Sequence, residues 1–181
     1  IMKKNAAEKG VVNFEVMDAL WQDVKISEIA NRYDLVISSL VLWMFADIWS
    51  QIKRMEQASK GYCCIVTGAG GKEPDEEELW REIMGEAEQP SYQEYPLIYN
   101  LLYAKGRYPN VRMIRYTSAR SVESAIRYRT LLFSKYLEMT PEIEAKIKQH
   151  ILDTAVEGKY RRESVSAVIW WDVREKRTEA R

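Results

Sequence analysis

Tyr33-Asp34-Leu35-Val36-Ile37-Ser38-Ser39-Leu40 and Tyr62-Cys63-Cys64-Ile65-Val66-Thr67 decide the fold class. Each holds a short continuous apolar run instead of an alternation, which suits a strand covered on both faces, as in a parallel sheet. Between them, Phe45, Ile48, Ile52 and Met55 recur at helical spacing and stop before Gly61. Upstream, Val11 to Val16 alternates and is rich in β-branched residues, which predicts another strand. Met2 to Lys9 reads as the tail of a helix closed by Gly10. With Ile1 standing where an initiating Met is expected, this predicts a chain that starts inside an element.

Downstream, Gly68-Ala69-Gly70-Gly71 closes the second strand and reads as a loop. An acidic helix follows over Asp75 to Met84, and Pro96 opens a helix that Gly106 ends. Val111 to Tyr116 is a strand. Ser121 caps a helix carrying Val122, Ala125, Ile126, Leu132, Phe133 and Tyr136 on or near one face. Thr140-Pro141 opens a further helix, with Ile143, Ile147 and Ile151 four apart, that ends at Gly158. Ser164 to Asp172 is the last strand, and a charged tail runs from Val173 to Arg181. Strands alternating with helices argue for an α/β layered fold with a mostly parallel sheet.

Composition sets the outer limits. The 181 residues are 46% hydrophobic and 30% charged, the make-up of a single globular domain. The formal net charge is zero, which gives no global steering toward nucleic acid or anionic lipid. No apolar run is long enough to span a bilayer, and Ile1 to Asn5 lacks the apolar core of a signal peptide. The two cysteines, Cys63 and Cys64, are neighbours in one strand and point to opposite faces, so they do not pair. A cytosolic protein is the expectation.

Order and local wording together resemble the class I S-adenosylmethionine-dependent methyltransferases. Asn13-Phe14-Glu15-Val16-Met17-Asp18-Ala19 looks like the family's third strand and its acidic adenine-binding turn. Tyr33 to Asp47 is similar to the fourth strand and its substrate-facing loop, and Lys60 to Val66 to the lead into the fifth. VRMIRY and SVSAVIWW suit the antiparallel hairpin that ends the fold. The family's glycine-rich loop and the acidic residue ending its second strand have no counterpart, and Gly68 to Gly71 does not replace them, because it follows the fifth strand. The resemblance therefore implies a Rossmann-like sheet without its first strands, supplied by further sequence or by a partner. Residues 1–181 form one N-terminally incomplete domain, with 73–108 as a segment covering the acceptor.

By the same resemblance, Asp18 accepts from the adenine amino group, the Ala19 backbone N–H meets a ring nitrogen, and Leu20 or Trp21 packs near the ring. Ser38, Ser39 and Leu40 lie beyond the next strand's carboxyl end, where open α/β sheets bind ligands, and Trp43 follows in the loop. Trp43 is equally suited to an acceptor-pocket wall and to a core anchor. Tyr92, Tyr95, Tyr99, Tyr103 and Tyr108 make an aromatic stretch that is either core packing or an acceptor lid. The implied reaction is methyl transfer from S-adenosylmethionine to a small-molecule acceptor. It needs positioning more than a protein nucleophile, and the lack of a Ser-His-Asp or Cys-His pattern argues against hydrolases. A binding partner or scaffold without activity is the other class of function. His150, late in its helix, reads as a favourable charge there and not as a metal ligand. The acidic run Glu73 to Glu88 and the basic run Lys105 to Lys135 nearly cancel. They are either separate solvated faces or a pairing, within one chain or across a homodimer; RNA binding by the basic run is disfavoured.

Overall fold

The computed structural model describes residues 2–70, 74–87 and 94–175. Four strands form one sheet: β1 (Tyr33–Ser39), β2 (Ser59–Gly68), β3 (Asn110–Ser121) and β4 (Lys159–Asp172). Their order across the sheet is β1-β2-β4-β3. β1 and β2 are parallel, and β4 runs antiparallel to both β2 and β3. Three strands thus point one way, but only one of the three pairings is parallel. The sheet is mixed, because β4 inserts between β2 and β3 in the opposite sense. The terminal pair is antiparallel as expected, but two helices, not a tight turn, join its strands.

The helices are α1 (Met2–Glu8), α2 (Ile26–Ile29), α3 (Ile48–Ala58), α4 (Pro74–Met84), α5 (Glu94–Ala104), α6 (Val122–Phe133) and α7 (Pro141–Thr154). The caps follow the local chemistry. Asp47, Ser121 and Thr140 each accept a backbone N–H three residues on, from Ser50, Ser124 and Ile143, which satisfies a donor that the first helical turn leaves open. Ser121 and Thr140 were legible as caps; α2 and two short 3-10 turns, at Trp21–Asp23 and Leu42–Met44, were not.

One core lies where α3 and α5 cover the sheet. Ile52 and Met55 of α3 and Ile98 and Leu102 of α5 meet Cys63, Ile65, Ala167, Ile169 and Trp171. The register pairs Cys63 with Trp171 and Ile65 with Ile169, so alternate residues of both strands feed this face. A second cluster joins α4, α6 and α7 through Leu79, Trp80, Phe133 and Ile147. A third seats Tyr160 of β4 on Ala125 and Ile151. Arg107, Glu56 and Trp171 lock α3 to β4. The guanidinium donates to both Glu56 oxygens, and the Trp171 indole donates to Oε1 at 2.9 Å. Gly61 is fixed by its neighbour: a Cβ there would stand 2.6 Å from the Asp34 carbonyl oxygen.

Three expectations are corrected. Val11 to Val16 is not a strand; it is irregular backbone with Val12 88% exposed. Alternation yields a strand only where a neighbour takes its hydrogen bonds, and none does here. Leu35-Val36-Ile37 is a strand but is not covered on both faces: Val36 packs against the α3–α5 core, and Leu35 and Ile37 on the opposite face are exposed because no layer among the described residues covers them. The last strand begins at Lys159, not Ser164. Its charged start, Lys159 to Glu163, pairs residue for residue with β3, so cross-strand bonding, not apolar content, extends it.

Both cysteines are free and buried. Burial, with the Glu56 charge nearby, pushes the Cys63 thiol from 9.0 up to about 12. The folded state therefore holds a proton that the unfolded chain gives up above about 9. This contribution to stability is intact below 9 and is lost as pH rises toward 12. Urea unfolding below pH 9 and again between 9 and 12 should show Cys63→Ala losing less stability over that rise than the natural chain. Equal losses would contradict the assignment.

Candidate functional site

Two cavities lie at the carboxyl ends of β1 and β2, one lined by Ser38 and Ser39 and the other by Leu40 and Gly68. The smaller, about 200 Å³, is mostly apolar and is lined by Trp21, Val36, Ser38, Ser39, Phe45 and Gln51, among others. Trp21 sits there because Arg54 stacks on its ring at 5.2 Å and donates to its carbonyl oxygen at 2.7 Å. The Gln51 amide oxygen is buried without a hydrogen-bond partner, a cost that a donor entering this cavity would relieve once the amide turns toward it.

The larger cavity, about 400 Å³, is polar. Its floor is the ribbon of β3 and β4. Tyr116, Ser118 and Arg120 alternate along β3, and Tyr160, Arg162, Ser164 and Ser166 along β4; the register sets Ser118 against Arg162 and Arg120 against Tyr160, so all share a face. Glu76 of α4, Arg129 of α6, Glu94 of α5 and Leu40 at the end of β1 complete the wall. Glu76 Oε1 accepts from Arg129 at 2.5 Å and from Arg162 at 2.7 Å, and Arg129 also donates to the Tyr160 hydroxyl at 3.0 Å. Burial works against the charge on Arg129, but Glu76 and Tyr160 outweigh it, and its pKa ends above the ordinary value. The Glu94 carboxylate accepts from the buried Thr67 hydroxyl. Leu40 holds φ at +55°, a conformation a non-glycine residue adopts at a cost of about 1–2 kcal/mol. Its N–H donates to the Val66 carbonyl at 2.8 Å, which holds it there.

The sequence-derived residues fall into groups. Ser38 and Ser39 join Trp21 around the smaller cavity, and Leu40 lines the larger. Asp18, Ala19 and Leu20 precede Trp21 on exposed backbone and line neither. Trp43 is exposed; its indole donates to the Leu40 carbonyl at 3.0 Å, and Lys135 lies over its ring. Tyr95 and Tyr99 touch edge to face and pack beside the α3–α5 core. Tyr92 lies outside the described residues. Within 73–108, α5 contributes to the core and α4 to the wall of the larger cavity. Sequence reading did not single out Glu76, Glu94, Arg129, Tyr160 or Arg162 as site residues. The one signal was the near balance of the acidic and basic runs; Glu76 and Arg129 come from those runs and pair within the chain. Among the described residues, no cluster of His, Cys, Asp and Glu could hold a metal ion, and no helix is long and apolar enough to cross a membrane.

No family model and no curated protein matches the chain in sequence. Among solved structures, it is similar to the YcgJ protein of Bacillus subtilis, with a TM-score of 0.49 and 14% identity over 97% of this chain and 76% of that one. It is similar to a candidate methyltransferase of Bacillus halodurans, with a TM-score of 0.43 and 10% identity over 80% of this chain and 65% of that one. A candidate sarcosine dimethylglycine methyltransferase of Galdieria sulphuraria gives a TM-score of 0.42 and 13% identity over 93% of this chain and 63% of that one. The likeness runs to methyltransferases. Its TM-scores all fall under 0.5, so the functional case rests on the cavities and the strand order. The chain spans less than two thirds of the length of the second and third of these structures.

Proposed function

We propose that this chain is the larger part of an S-adenosylmethionine-dependent methyltransferase acting on a small molecule. The supporting observation is the pair of cavities at the end of β1, one apolar and one polar, with Ser38 and Ser39 on the first and Leu40 on the second. When bound, the cofactor supplies an electrophilic methyl group. The residues of the smaller cavity fit its adenine end: Trp21 and Phe45 offer apolar walls, and Gln51 an unsatisfied acceptor. Ser38 and Ser39 would face the cofactor at the strand end, and Asp18 and Ala19 would reach it only by a shift of their exposed backbone. The larger cavity would hold the acceptor in line with the methyl group and exclude water from it. Such positioning contributes roughly 7–11 kcal/mol in favourable cases.

The open edge of β1 fits the same reading. Its backbone, unpaired on that side among the described residues, with Leu35 and Ile37 exposed beside it, is where the family's first strands would pair. These strands, from further sequence or from a partner subunit, would bring the glycine loop that holds the methionine end. A second reading draws on the same edge: a non-catalytic methyltransferase-like scaffold whose partner adds a strand there.

Ultraviolet cross-linking of methyl-labelled S-adenosylmethionine to the longest form encoded by the reading frame, followed by peptide mapping, tests the site. Label should attach to peptides containing Trp21 or Ser38 to Phe45, and excess S-adenosylhomocysteine should remove it. Competed label confined to other peptides would overturn the placement.

A further inference from the structure

The larger cavity carries a charge pattern that a neutral acceptor would not require. At one end, Arg120, Arg129 and Arg162 stand with two carboxylates: Glu76, which pairs with Arg129 and Arg162, and Glu163, which accepts from the Thr117 hydroxyl. Arg129 and Glu76 are almost fully buried, while Arg162 is partly open. Arg120 is exposed, stacks on Tyr128 with its guanidinium carbon 4.5 Å from the ring centroid, and makes no ion pair among the described residues. Arg120 and Arg162 are diagonal neighbours on adjacent strands, since Arg120 opposes Tyr160 and Ser118 opposes Arg162. Side chains so placed start about 7–8 Å apart, close enough to share one small anion. A guanidinium fork matches a carboxylate in two parallel hydrogen bonds.

The other end is acidic. Glu94 stands beside Thr67, next to Gly68, and Gly68 opposes Ser166 on β4. Ser166 is four residues along β4 from Arg162, a span of roughly 13 Å at 3.3 Å per residue. Glu94 has no cation within ion-pair distance among the described residues, and its only hydrogen-bond partner there is the Thr67 hydroxyl. The cavity is therefore polarised, with surplus positive charge at the α6 end and a carboxylate at the end nearest β1.

We propose that this cavity binds a small zwitterion, a molecule with a carboxylate at one end and an amine at the other. The carboxylate lies between Arg120 and Arg162, with Tyr128 alongside, and the amine donates to Glu94. Glu76, Glu94 and Glu163 in the same lining oppose a doubly charged head, which selects a carboxylate over a phosphate. Arg129 is a positioning residue: it holds Glu76, which in turn orients Arg162. The inference rests on the acceptor reading only in naming the amine, at the β1 end, as the group to be methylated: its ammonium would give a proton to Glu94, the freed nitrogen lone pair would bond the methyl carbon, and the sulfonium's carbon–sulfur bond would break to leave a neutral thioether. Binding itself needs no cofactor, so failure here and failure of the methyltransferase reading are separate results.

Calorimetric titration with 6-aminohexanoate, hexanoate, hexylamine and 5-aminopentylphosphonate tests it, without cofactor. 6-Aminohexanoate should bind at least about tenfold more tightly than any of the other three, the 1.4 kcal/mol or more expected of a charge-assisted contact. Arg120→Gln, an exposed change that spares the fold, should weaken 6-aminohexanoate and hexanoate about tenfold and leave hexylamine unchanged. Glu94→Gln should weaken the two amino compounds and hexylamine and leave hexanoate unchanged. Equal affinity across the panel, a tighter phosphonate, no effect of Arg120→Gln, or no binding of 6-aminohexanoate at millimolar concentration would each overturn the proposal.

Discussion

Glu76→Ala should cost about 3–5 kcal/mol of stability, because it strands a buried cation. The Arg129 side chain is 5% exposed, and its guanidinium meets Glu76 Oε1 at 2.5 Å. An arginine cannot escape burial by losing its proton, and the pull of Glu76 and Tyr160 keeps Arg129 above its ordinary pKa in spite of desolvation. Without Glu76 the Tyr160 hydroxyl is the one hydrogen-bond partner left to Arg129 among the described residues, beside the Tyr128 and Tyr160 rings, and Arg162 loses its anchor as well. The loss is the cost of the unpaired charge and not the net worth of the pair. The double change Glu76→Ala with Arg129→Met should therefore recover part of it. Urea unfolding of the two variants checks both statements. A single-variant loss under about 1 kcal/mol would place the pair among surface ion pairs and contradict the structure.

Trp171→Ala should cost about as much, roughly 3–5 kcal/mol, for a different reason. Trp171 is 1% exposed at the centre of the α3–α5 core, among the largest fully buried side chains. Truncation removes its packing and leaves a void that a sheet held on both sides cannot close. Its indole N–H also serves Glu56, which keeps Arg107 as a partner after the change. Trp171→Phe separates the two effects: it keeps much of the volume and should lose about 1.5–3 kcal/mol, the range for a hydrogen bond to a charged group. If Trp171→Phe unfolded as readily in urea as Trp171→Ala, the hydrogen bond, and not the packing, would be the larger contribution.

What could be read from the chain follows the range of the physics involved. Ser121 and Thr140 were legible because a cap is settled within three residues. Tyr33 to Leu40 and Tyr62 to Thr67 were legible as strands because their apolar runs are short and bounded by turns, although the second begins earlier, at Ser59. The exposure of Leu35 and Ile37 was not, since it depends on what packs against that face of the sheet. Val11 to Val16 misled for a related reason: alternation marks a strand only when a partner is present. Lys159 to Glu163 was missed in the opposite direction, as a charged segment made extended by β3. In the site, Ser38, Ser39 and Leu40 follow from the rule for strand ends. Glu76 and Arg129 lie 53 residues apart, and nothing local tells which member of an acidic run meets which member of a basic one. Tyr95 and Tyr99 show the ambiguity of an aromatic stripe, since core and lid give the same spacing.

On the proposed function, the β1 end forms part of an S-adenosylmethionine site completed by strands beyond the β1 edge. Calorimetric titration of S-adenosylhomocysteine, into this chain and into the longest form encoded by its reading frame, tests it most directly. The longer form should bind S-adenosylhomocysteine and lose that binding in Trp21→Ala, and this chain alone should bind little or none. Absence of binding by both would contradict the proposed function and leave the scaffold reading in place.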